Sequence, residues 1–289
     1  MRIGKFLLIL FAAYMCYDIL YFSFGEGVIM SFSVWHSIAF ISDWYLRVGH
    51  NTQFFGLSRT RKYLYCLPFS TMILYLLTLQ SVASYDVVGD FLYTLMYLAL
   101  GITWIYLTFQ GMFLFWSFSY QDDVLMGRNL AALIAFTGAF LGVSLIYAGA
   151  NIGDGPGWWT IVWAGGLGTV TWLLLGMAVN QCTHIMDSVL MDRNTAGGVR
   201  LGSYLLASGL ILARASAGDW TSFAVTVLEF LSGWPVIPLT IIMIVLERLL
   251  FRQLPEWEMP DEGNQKTVLV SAFYIIYAVI IVGLLPAVI

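Results

Sequence analysis

Charge is what this chain is shortest of. Lysine, arginine, aspartate and glutamate make up only 10% of its 289 residues, where a water-soluble domain carries about 25%. That scarcity excludes an ordinary soluble globule. The formal net charge of −4 holds no basic excess, which excludes the electrostatic footprint of a nucleic-acid binder. Cysteine is scarce as well: Cys16, Cys66 and Cys182 show no CxxC spacing, so no disulfide framework is expected. Three histidines, His36, His50 and His184, leave little material for a metal or haem site, which usually needs roughly two to four converging ligands. No metal and no cofactor is expected. Seven prolines and an aromatic share of 16% exclude a disordered chain. The sequence contains no GxSxG, HExxH, Walker A or Rossmann glycine pattern, and the reading leans away from an enzyme. His184 with Asp187 comes nearest to an acid–base pair, on what reads as a solvated loop.

What the chain has instead is apolar length. Sixty per cent of it is apolar and its mean hydropathy is +0.83. A hydrocarbon core of about 30 Å needs about 20 mostly apolar residues as helix. Eight runs qualify: 6–24, 63–84, 91–120, 130–150, 158–182, 196–217, 220–250 and 268–288. A ninth, 28–46, is more polar because Ser31, Ser33, His36, Ser37, Ser42 and Asp43 interrupt it. Lysine and arginine in short loops stay on the cytoplasmic side. With nine spans and the N-terminus inside, twelve of the thirteen basic residues fall in inner loops or at inner helix ends, among them Arg200 and Arg248. Glu26, Asp86, Asp90, Asp154 and Asp219 then fall outside. The expected fold is an all-α polytopic bundle of nine spans, N-in and C-out, with eight as the fallback. The first run reads as a retained signal-anchor, since no small-x-small cleavage site follows it.

The chain repeats itself at an offset of 65 residues. VLMGRN at 124–129 returns as VLMDRN at 189–194. In the same register Ala131 matches Ala196, Ile146 matches Ile211, Ala150 matches Ala215, and Gly153-Asp154 matches Gly218-Asp219. Two spans per unit make the copies parallel. The expected organisation is a three-helix extension (1–86), two repeat units (87–154 and 155–219) and a two-helix extension (220–289), in which Glu262-Gly263-Asn264 opens a candidate degenerate third copy.

The segment RNLAA at 128–132, the glycine-bearing helix 135–142, WAGG at 163–166 and RNTAGG at 193–198 resemble the YjfL-type bacterial inner-membrane proteins over about residues 87–219. A typical member looks like four spans alone, whereas this chain adds three before and two after. The resemblance implies a bacterial inner-membrane setting and loosely suggests envelope-stress partners. It supplies no catalytic residues.

Asn129 and Asn194 stand where a helix begins and read as N-caps. Alternatively Arg128-Asn129 and Arg193-Asn194 form a cytoplasmic-side site for an anion or lipid head group, helped by the helix dipoles. Gly138 and Gly142, like Gly198 and Gly202, are four apart and read as close helix packing. Asp18, Arg214 and Glu229 are ionisable residues within spans, where an unpaired charge costs about 2.5–3.5 kcal/mol or more. At about 1.5 Å per residue they lie in the outer half, as a polar cluster or proton relay, and Arg214 and Glu229, on consecutive helices, are expected to pair. Trp234-Pro235 and Pro238 predict a kink in 220–250. Tyr93, Tyr97, Trp104 and Tyr106 read as lipid-facing or core packing rather than a cofactor box. Three functions are compatible with this pattern: a non-enzymatic membrane subunit that anchors or assembles with protein partners or copies of itself; a small-solute or ion transporter; and a membrane enzyme acting on lipid.

Overall fold

A computed structural model of the chain describes residues 24–50, 58–251 and 261–285. The run 6–24 falls almost wholly outside the described residues, as do Asp18 and most of the acidic segment after Phe251. Every described element is a helix; the sole β feature among the described residues is an isolated bridge between Ala83 and Gly153. In chain order the helices are α1 (Phe24–His50), α2 (Ser58–Ser81), α3 (Phe91–Trp116), a π-helical turn (Tyr120–Met126), α4 (Leu130–Ala150), α5 (Trp158–Thr183), the short α6 (Ile185–Leu190), α7 (Thr195–Ala215), α8 (Phe223–Phe230), α9 (Val236–Leu250) and α10 (Asp261–Leu284). Seven are long and apolar enough to cross a membrane: α2, α3, α4, α5, α7, α8 with α9 taken together, and α10. The more polar α1 runs unbroken for 27 residues but is not one of the seven. At the kink expected at Trp234-Pro235, a 3-10 turn at Leu231–Gly233 separates α8 from α9.

Local sequence sets the helix ends. Asp90 accepts from the N–H groups of Leu92 and Tyr93 to start α3. Asn129 accepts from Ala132 N (3.2 Å) to start α4, and Asn194 from Gly197 N (2.8 Å) to start α7. Each asparagine follows an arginine in the left-handed region, Arg128 at φ 53° and Arg193 at φ 58°. Both helices run 21 residues and are followed by glycines at positive φ, Gly153 and Gly218. All these features recur at the 65-residue offset.

At the centre α4 and α7 run side by side in the same direction, Ala131 against Gly198, Gly138 against Gly202, Gly142 against Leu205, and Gly149 against Ala213. A Cβ on Gly138 would stand 2.5 Å from the Gly202 Cα, and one on Gly142 2.6 Å from the Leu205 carbonyl oxygen. The obstacles are backbone, so neither position can yield. With no hydrophobic drive between helices in lipid, such close van der Waals contact is what holds a helix pair together. About three-quarters of each central helix is buried (72% and 78%), against 28% for α10.

Polar side-chain groups clip the outer helices to this pair and to one another by donating to backbone carbonyls. Tyr147 OH reaches Tyr97 O, Trp172 Nε1 reaches Leu205 O, Trp116 Nε1 reaches Leu173 O and Trp44 Nε1 reaches Leu64 O. Between α1 and α3, Ser37 donates to Ala99 O and Thr103 to Ser33 O. Trp44, Phe109, Tyr120, Phe136 and Phe140 form one aromatic cluster where α1, α3 and α4 meet. The aromatic stripe of α3 is accordingly packing: Tyr97 is buried and Trp104 Nε1 donates to Thr169.

Candidate functional site

The two Arg-Asn loops come together at one end of the bundle and brace each other. Asn129 is buried, and its Nδ2 donates to the carbonyls of Val189 (2.7 Å) and Leu190 (3.1 Å). In return an Arg193 guanidinium nitrogen donates to Gly127 O (3.0 Å), and Asn194 Nδ2 donates to Ser188 Oγ. Both asparagines are thus engaged within the protein at both ends of their amides, while the Arg128 and Arg193 side chains are exposed. Nearby Asp43 accepts from Arg47, from Tyr120 OH (3.2 Å) and from Gln121 Nε2 (3.1 Å), and burial pushes the Tyr120 hydroxyl up to about 12. His184 lies 3.2 Å from Asp187 on an exposed turn.

The most deeply buried charge at this end was not singled out by its sequence. Arg200, read above as a residue of the inner helix end, stands a turn and a half inside α7 with 2% of its surface exposed. Its Nε and an NH2 arm (3.0 Å) donate to the two carboxylate oxygens of Glu247 on α9. Its remaining nitrogen donates to Thr267 Oγ1 on α10 at 3.0 Å, and the Phe251 ring lies 3.7 Å from the guanidinium carbon. One side chain thereby ties three helices. Removing one partner of such a pair strands the other as a buried charge, at about 3–5 kcal/mol. One signal did exist in the sequence: the position 65 residues before Arg200 is Ala135, so the two residues differ in charge at the offset that aligns VLMGRN with VLMDRN.

The pairing expected between Arg214 and Glu229 is not formed: among the described residues Arg200–Glu247 is the buried ion pair, and Arg214 is in none. The reason is helical phase. At about 100° per residue, Arg214 returns to within about 40° of Arg200, the face of α7 turned to α9 and α10. Glu229, on α8, instead lines the cavity beside Ser216 at the end of α7. Asp18 lies outside the described residues.

Glu229 borders a cavity of about 30 Å³ at the opposite end, where α4 and α7 terminate. The first residue after each helix lines it: Asn151 and Ser216, again 65 apart and both buried. Asn151 Nδ2 donates to Tyr147 O, but Asn151 Oδ1 and Ser216 Oγ have no hydrogen-bond partner, a state that costs about 1–3 kcal/mol for each buried polar group. The two Gly-Asp turns frame the opening. Asp219 Oδ1 accepts from Asp154 N (2.7 Å), Asp154 Oδ1 accepts from Tyr85 N (3.1 Å), and Trp220 N donates to Asp154 O (2.7 Å).

Comparison with known protein families, with characterised proteins and with solved structures finds no match to this chain.

Proposed function

We propose that the chain is a non-catalytic, multi-pass subunit of a bacterial inner membrane, which it crosses nine times with its N-terminus inside, anchoring or assembling with protein partners or further copies of itself. Kinship with the YjfL-type proteins, through two parallel copies of a two-helix unit, belongs to the same proposal. Arg47, Lys62, Arg128, Arg193, Arg248 and Lys266 gather at the Arg-Asn end, and Glu26, Asp86, Asp90, Asp154 and Asp219 at the Gly-Asp end. This supports a cytoplasmic Arg-Asn end. The 27 residues of α1, about 40 Å of helix, support its counting as a span.

The observation that carries the subunit reading is the sealed centre. α4 meets α7 backbone to backbone, and the buried charge beside them is neutralised by Glu247, so the interior is built to hold its shape. Apolar side chains such as Leu269, Ile276 and Val279 of α10 face outward, available to lipid and to partner helices. Purification of the full chain in mild detergent is expected to recover a stoichiometric protein partner or a homo-oligomer, and vesicles holding the chain alone are expected to stay tight to ions. A solitary monomer that drives saturable flux, lost in Glu229→Gln, contradicts the proposal. That outcome is the one a second reading predicts, a small-solute or ion transporter, which the cavity beside Glu229 favours. Reporter fusions at Asp154 and Asn264 are expected to report opposite sides of the membrane.

A further inference from the structure

We propose that the cavity between the C-terminal ends of α4 and α7 is a binding site for a single small monovalent cation, of the size of Na⁺, with Asn151 Oδ1 and Ser216 Oγ as ligands and the Glu229 carboxylate supplying the charge. Four observations converge on it. Asn151 and Ser216 line the cavity and are 3% and 6% exposed, and Asn151 Oδ1 and Ser216 Oγ lack hydrogen-bond partners; as acceptors, oxygens are what a hard cation takes as ligands. The helices end side by side and point the same way, so the partial negative charges of two helix C-termini, about −0.5 each, add at one place instead of cancelling. Glu229 and Asp154 line the cavity, and no lysine or arginine does. The volume of about 30 Å³ suits one ion with a water, not a larger solute.

The same features select charge one over charge two. Asp154 and Asp219 each have a carboxylate oxygen engaged by a backbone N–H, which leaves Glu229 as the carboxylate with no such commitment. Ca²⁺ takes about six to eight oxygens, usually including several carboxylates, and among the described residues no three His, Cys, Asp or Glu side chains come together as a metal site. The nearest basic residue in sequence is Arg214, two residues before Ser216, and it is not among the residues that line the cavity. The site stands whether the chain is a subunit or a transporter.

The test is thermal unfolding of the purified full chain in detergent, in chloride salts of Na⁺, K⁺ and choline at equal ionic strength. Na⁺ at about 100-fold above its half-saturating concentration is expected to raise the melting temperature by about 5 °C over choline, saturably, with K⁺ weaker. Ser216→Ala with Asn151→Ala is expected to abolish the difference. Should that pair fail to fold, the exposed Glu229→Gln serves, and it should weaken the half-saturating concentration about tenfold. Equal melting temperatures in Na⁺ and choline, the result expected if the cavity holds only water, overturn the proposal. So does a Na⁺ effect left intact by these substitutions. Partner recovery is a separate readout, so failure of this site and failure of the subunit reading are distinguishable.

Discussion

α4 and α7 have the same length, the same arginine-asparagine start and the same glycine turn beyond their ends, yet they are held in place by different means. α4 presents Phe136 and Phe140 to an aromatic cluster with Trp44, Phe109 and Tyr120. α7 carries Arg200 in place of Ala135 and is tied by it to α9 and α10. The difference teaches that the ends of a helix and its sides answer to different parts of the sequence. A cap and a turn are fixed by a few adjacent residues and survive repetition, whereas a flank is fixed by whatever neighbour it meets and diverges.

The comparison can be broken most severely at the charge. Arg200→Ala is expected to destabilise the folded chain by about 3–5 kcal/mol, read as a drop in melting temperature of about 6–15 °C; an unchanged melting temperature would mean that the α7 flank is not held by its ion pair. Next comes the seam that the two helices share. Gly138→Ala places a methyl against the Gly202 backbone and is expected to lose about 1–3 kcal/mol, and Gly166→Ala, where a Cβ meets nothing within 4 Å, is the control that should lose little.

The caps sharpen the comparison further. Asn129 both starts α4 and holds two carbonyls of the opposite loop, so Asn129→Ala should lose about 2 kcal/mol and Asn194→Ala about 1; equal losses would remove the claimed bracing. The smallest effect is in the first loop, where burial lifts the Asp123 carboxyl above its ordinary range although Ser119 N donates to it. A raised folded-state value favours the neutral form in the fold. Stability from this group therefore grows as pH falls through the raised value, is complete below about 3.9, and is lost as pH rises again. Asp123→Asn should remove that part of the pH profile of the melting temperature, and only that part.

Much of this architecture was legible in the residues. Within the described residues the apolar runs correspond to helices, Asn129 and Asn194 cap theirs, Gly138 and Gly202 meet, and the 3-10 turn falls beside Trp234-Pro235, because each of these depends on spacing within one helix or on a turn. Arg200 escaped because hydropathy scores a residue by type: an arginine near a helix start looks interfacial until a carboxylate 47 residues away comes to meet it. Arg214 and Glu229 were paired by adjacency of their helices, which ignored the phase at which each side chain leaves its axis. The pairing of Asn151 with Ser216 around one cavity was implicit in the 65-residue register, but neither residue carries charge, so nothing in composition drew attention to them.

The buried tie between α7 and its neighbours is tested most directly by a double-mutant cycle on Arg200→Met and Glu247→Met, followed by thermal or denaturant unfolding of the full chain. The predicted result is that each single substitution loses about 3–5 kcal/mol while the double variant recovers most of it, because two apolar groups leave no stranded charge. Losses that simply add would contradict the account.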